Sequence, residues 1–344
     1  MAADQSVTIA PAGPSRAAMM ALWAGIAFSL GVTVLTWVVD RHWLAVPVLA
    51  PDRPGMWYEW QRLEPTAWSR ASAWIGYLLH QVTIWGLIWW AQRERPAYTG
   101  GLHRFNWIAL AANAFFIVLH LVQTAVWYDG LAQDVHEATA QWSVILLLMA
   151  VVVMENQRRG LAFGRPVGFV TESAGVIRRY HGYYFAWATI YTFWYHPMIG
   201  TSGHLAGFLY MFLMLLQGSL FFTRAHTNRY WMVTQELAVA AHGALVAWMQ
   251  AGAWEMFLCG FLGVFVITQM HGLGWSRGLR WAVGLGYVAL VAYLYSDQAG
   301  RALLVLGIPA TIIPGAMVLS LIVLGVQRFL LRRYFRNQAV TAQT

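Results

Sequence analysis

Residues 178–230 read RRYHGYYFAWATIYTFWYHPMIGTSGHLAGFLYMFLMLLQGSLFFTRAHTNRY, and this stretch decides the fold. Two apolar runs, 180–196 and 204–223, flank a short turn with proline and glycine, which predicts a helical hairpin crossing a bilayer. Fifteen residues separate His181 from His196, or roughly 22 Å of helix at 1.5 Å per residue, so the two histidines fall near opposite membrane faces. His226 joins His181 at one mouth and His204 joins His196 at the other. Gly203 and Gly207 form a small-xxx-small face that admits a neighbouring backbone, and Tyr183, Tyr184, Tyr191 and Tyr195 supply hydroxyls on the partner helix.

Composition extends this reading to the whole chain. Hydrophobic residues make up 59% of the 344 and charged residues 10%, with a mean hydropathy of +0.51. A soluble domain carries about 25% charged residues. The 22 basic residues are all arginine, which excludes a retinal Schiff base and any catalytic lysine. Cys259 is the single cysteine, so disulfides, thiolate zinc sites and covalent haem attachment are excluded as well. The net charge of +8 does not point to nucleic acid, because the arginines border apolar spans instead of forming a basic face.

Outward from the hairpin, further apolar runs fall at about 17–39, 70–91, 105–128, 138–155, 231–250, 253–271, 279–296 and 303–331. The expected fold is therefore all-α: one transmembrane bundle over 17–336 with ten spans. Residues 1–16 and 337–344 are expected as disordered cytoplasmic tails. The first run is too long for a signal-peptide core and reads as a retained helix. Residues 40–69, with Trp57, Trp60 and Trp68, read as an outer interfacial loop, and 156–179 as the largest cytoplasmic loop. The last span holds Pro309 and Pro314 and is expected to break near its start.

Arginine placement tests the count. With both termini in the cytoplasm, seventeen arginines lie inside and five outside (Arg41, Arg53, Arg62, Arg70 and Arg301). The expected location is the cytoplasmic (inner) membrane of a bacterium, with the lipid bilayer as the obligatory partner.

Polar residues inside spans are expensive, so they mark where chemistry is to be sought. Asn106, Asn113 and His120 recur every seven residues on the third span, and Gln235 and His242 do so on the seventh. His80, His120 and His242 lie at similar depth in the outer half and form the candidate cofactor-binding set, for haem b or a histidine-bound metal ion. His196 and His204 are candidate metal ligands at the outer rim, while HExxH and other ligand-spaced motifs are absent. Glu236 and Tyr184 are the candidate catalytic groups. A second polar cluster on the cytoplasmic side comprises Glu155, His181, Arg224, His226 and His271. Met211 and Met214 read as core filling.

Three functions fit these residues. One is a haem- or metal-dependent membrane redox protein or enzyme acting on a lipid-soluble substrate. Another is a transporter or channel for a small solute, proton or lipid, with Glu236, Gln217 and Asn113 along its path. The third is an assembly subunit whose aromatic face (Trp85, Trp89 and Trp90) meets other membrane subunits.

Overall fold

Ten α-helices follow one another along the computed structural model, which describes residues 13–51, 60–94, 96–249 and 252–341, with side chains as far as 330. They are α1 (Arg16–His42), α2 (Ala67–Glu94), α3 (Arg104–Trp127), α4 (Glu137–Arg159), α5 (Gly168–Tyr195), α6 (Ser202–Ser219), α7 (Arg229–Met249), α8 (Trp254–Ile267), α9 (Arg277–Leu294) and α10 (Gly307–Thr341). Short 3-10 segments occupy Leu131–Gln133, Gln269–Gly272 and Ala299–Leu306. No strand occurs among the described residues, only isolated bridges such as Thr99 with Thr223. Each apolar run of the sequence coincides with one of the ten helices. Residues 1–12, Arg53, Trp57, Arg95 and the side chains of Arg332, Arg333 and Arg336 lie outside the described set.

Helix ends follow local chemistry. Ser15 caps α1 by accepting the Ala18 N–H at 3.2 Å, Thr201 caps α6 and Ser276 caps α9. Helix α4 stops at Gly160, whose φ of 73° suits glycine, and the chain turns tightly through Gly164 at φ 80°. Arg16 thus belongs to the first helix and not to the tail, and α10 continues past 336 to Thr341.

Two boundaries differ from expectation for a physical reason. Helix α5 starts at Gly168, twelve residues before the expected span at 180, because Arg178 and Arg179 mark where apolar character ends and not where hydrogen bonding ends. The expected break near Pro309 is a change of helix type: Ala299–Leu306 is 3-10, and Pro309 sits in the first turn of α10, where its missing N–H leaves no bond unmade.

Helix α5 is the axis of the packing, touching α2, α4, α6 and α10, while α6 touches α1, α3 and α7 as well. Trp194, Tyr195, Phe193 and Ile190 on α5 are fully buried. Side chains such as Trp23, Leu78, Leu79, Phe115, Leu285 and Leu321 cover the outside, an apolar exterior of the kind a bilayer solvates. Among the described residues, five stretches are long and apolar enough to cross a membrane: α1, α3, α4, Trp254–Gly272 and Ala299–Leu330. Buried polar side chains concentrate on α3, with Asn106, Asn113, His120, Gln123 and Thr124, while α2 turns His80 and Gln81 inward and α7 Gln235 and Glu236.

Candidate functional site

Helix α5 ends at Tyr195 because Pro197 follows, which holds His196 in extended backbone at φ −102° and ψ 140°. Six residues later Thr201 starts α6. That short connection sets the His196 and His204 rings 5.3 Å apart at 81°. His204 Nδ1 lies 2.8 Å from the Thr201 hydroxyl, and the Trp60 indole from the connection between α1 and α2 meets the His204 ring edge-on at 5.3 Å. His242 on α7 comes so close to α6 that a Cβ on Gly207 would stand 2.8 Å from its Nε2. His120 reaches in from α3, its Nε2 2.9 Å from the His196 carbonyl. Imidazoles from four parts of the chain thus gather around the connection between α5 and α6.

His80 and His120 share a depth but not a site. They stand on either side of Trp194: its indole N–H donates to His80 Nδ1 at 3.2 Å, while its rings lie 4.2 Å from the His120 ring. On the far edge of His80, Nε2 meets Asn113 Oδ1 at 2.7 Å. Asn113 is oriented by its own amide, which donates to Ser219 Oγ at 2.8 Å and to the Leu215 carbonyl at 3.3 Å. His80 therefore accepts at Nδ1 and donates at Nε2, which is the complete bonding pattern of a neutral ring.

His120 is framed differently. Its Nδ1 faces Gln123 Oε1 at 3.0 Å and its Nε2 faces the His196 carbonyl. The Gln123 amide nitrogen is committed to Ser72 Oγ at 3.1 Å and the Asp129 carbonyl at 3.3 Å, so its oxygen is what faces the ring. A neutral imidazole has one N–H for these two acceptors, and a doubly protonated ring satisfies both.

These contacts bear on the cofactor expectation. Both ring nitrogens of His80 and of His120 already meet protein partners, and neither ring has an edge left for iron or another metal. Among the described residues no three His, Cys, Asp or Glu side chains are grouped as a metal ion needs. The residues present do not fit haem b held by His80, His120 and His242.

The chain matches no protein-family model, no curated protein and no solved structure.

The residues of the second polar cluster divide into separate groups. Glu236 is held by Arg159 in a two-pronged ion pair, with Nη1–Oε2 at 2.6 Å and Nη2–Oε1 at 2.8 Å, both side chains buried. Glu155 lies 2.5 Å from Arg158 and 3.4 Å from Arg159 Nε, and Arg158 also donates to the Gly272 carbonyl at 3.1 Å. His271, next to Gly272, is bracketed by Arg280 at 3.1 Å and the Val266 carbonyl at 3.2 Å. Apart from these, His181 and His226 face each other at 6.4 Å, and His226 binds the Gln217 carbonyl at 2.9 Å. Burial, with His181 alongside, pushes His226 down to about 4. Arg224 joins through its backbone N–H, bonded to the Thr99 carbonyl at 2.8 Å.

Tyr184 donates its hydroxyl to the Ser143 carbonyl at 2.9 Å, a helix-to-helix tie between α5 and α4. Trp85 similarly donates to the Tyr183 carbonyl, and Trp90 to Glu94. Gln123, Trp194 and Ser219, which decide how the two buried histidines are bonded, do not stand out in the sequence. Only Gln123 left a sign there, three residues from His120 and so on its face of the helix.

Proposed function

We propose that this chain is a ten-span protein of a cytoplasmic membrane, with both termini on the cytoplasmic side, and that it carries protons across the bilayer. Ten apolar runs that coincide with ten helices, and the seventeen-to-five arginine asymmetry, support the topology. One observation carries the function: His120 presents each ring nitrogen to an acceptor, so a proton taken up on one edge of the ring can be released from the other. Around it His196, His204 and His242 give that proton places to go.

The inward path follows α7. Gln235 lies seven residues from His242, about 10 Å along the axis on the same face, and its buried carboxamide has no partner. Glu236 adjoins it, with the Arg159 pair and a void of about 10 Å³ that Gln269 also lines, room for about one water. Titratable groups thus bracket one helix from the outer imidazoles to the inner ion pair, the distribution that marks proton routes in membranes.

Proteoliposomes with a trapped pH-sensitive dye test this. After an external acid jump, with potassium and valinomycin to collapse the membrane potential, they should acidify faster than protein-free vesicles, and His120→Gln should return them to the protein-free rate. Equal rates for wild-type and empty vesicles would overturn the assignment.

A further inference from the structure

Beside the imidazole group, the chain leaving α3 carries three consecutive residues that the proton path above does not use: Tyr128, Asp129 and Gly130. We propose that Asp129 is the carboxyl through which protons enter the outer histidine group. The part it plays in transport rests on the proton-carrying function, whereas its protonation state does not.

Four observations converge. Asp129 is 3% exposed, yet its Oδ2 has no hydrogen-bond partner, while Oδ1 takes the N–H of Gly130 at 2.9 Å and the neighbouring Ser69 hydroxyl is given to the Thr66 carbonyl at 3.0 Å. No ion pair reaches it among the described residues: Arg70 turns to Asp134 at 3.1 Å, and Arg62 to the Trp127 carbonyl. An ionised carboxylate so placed bears the full cost of burial, and the neutral acid avoids it. Gly130 fixes the position, because a Cβ there would stand 2.4 Å from the Tyr195 carbonyl oxygen and 3.1 Å from the His196 carbonyl carbon. The turn is therefore pressed against the backbone of His196. Gln123 then ties the same turn to His120, donating to the Asp129 carbonyl while its oxygen faces His120 Nδ1.

The surroundings suit a group that gains and loses a proton. Tyr128, also 3% exposed and with an unpaired hydroxyl, and the unpaired Nε of Arg62 lie within electrostatic reach of the carboxyl. The Ser69 hydroxyl and the Asp134 carboxylate complete the ring of polar neighbours, and Asp40 bears on Tyr128. Burial raises Asp129 above the usual carboxylate range, opposed by Ser69, the Gly130 N–H and Arg62. In the transfer the O–H bond at Oδ2 breaks and an N–H bond forms on an imidazole nitrogen; the carboxylate left behind takes a proton from outer water. No electrons move and nothing else is consumed.

Infrared spectra of the purified protein at neutral pH, compared between wild type, Asp129→Asn and Asp129→Glu, test the state of the group, and the dye assay tests its use. The wild type should show the carbonyl stretch of a protonated carboxyl, Asp129→Asn should lose it and Asp129→Glu should keep it at a shifted frequency. Proton entry should fall in Asp129→Asn and recover in part in Asp129→Glu. An Asp129→Asn spectrum with that absorption intact overturns the proposal whatever the flux. Loss of the band with unchanged entry overturns the loading role, and a wild type without proton flux fails the transport function while leaving the protonation result standing.

Discussion

Arg159 and Glu236, 77 residues apart in sequence, meet inside the protein in a two-pronged ion pair that joins the end of α4 to the second turn of α7. Two charges buried together are tolerated because each neutralises the other, so removing one strands its partner. Glu236→Gln and Arg159→Met should each lower stability by about 3–5 kcal/mol, and the paired replacement Arg159→Met with Glu236→Leu should recover most of the loss. Apparent melting temperatures in detergent measure this; additive losses in the pair would show that the two charges act separately.

Gly76 is where α2 admits the Trp194 indole, since a Cβ there would stand 2.2 Å from Cη2. The ring is fully buried and has no room to retreat. Gly76→Ala should cost about 1–3 kcal/mol and shift the tryptophan emission, through overpacking alone. An unchanged melting temperature would mean that α2 can slide away at no cost.

His80 and His120 should separate in their effects. His80→Gln leaves the Trp194 N–H or Asn113 without its partner and should lower stability by about 1–3 kcal/mol while proton entry persists. His120→Gln should abolish entry with a smaller change in stability. The dye assay and thermal melts on the same preparations decide, and equal loss of entry in both variants would put His80 on the path.

Asp129 should also be visible in how stability varies with pH. A carboxyl raised by burial binds its proton more tightly folded than unfolded. Its contribution is fully present below the unfolded value, about 3.9, and is lost as pH climbs through the raised folded value. Asp129→Asn removes that dependence, so the variant should gain on the wild type from pH 4 to pH 7. Parallel melting curves across this range would contradict it.

Much of the architecture is legible in the sequence, because a bilayer demands long apolar runs and the runs coincide with the helices. The length of α5 was not, since charge at Arg178 and Arg179 reports a boundary of polarity while the backbone keeps its hydrogen bonds. At the site, spacing predicts a level along each helix but not an azimuth. His80, His120 and His242 share a level along their helices, yet Trp194, contributed by α5, stands between the first two, and no spacing within α2 or α3 announces it. The same limit hid the partner of Glu236. Its cost was readable from its place in an apolar run, but the identity of the arginine depends on how α4 and α7 approach each other. In the sequence Asp129 reads as one more outward-leaning acid, because an acid after an apolar run normally marks arrival in water, and here the chain folds back over it.

Helix α9 buries none of its side chains and leans on α8 and the 3-10 segment that precedes α10. Its outer flank leaves Trp281, Leu285 and Val288 uncovered. Whatever covers that flank becomes a structural component: in harsh surfactant this rim should loosen while the interior keeps its spectrum, so a sample can pass every test of a well-ordered centre with its edge already adrift.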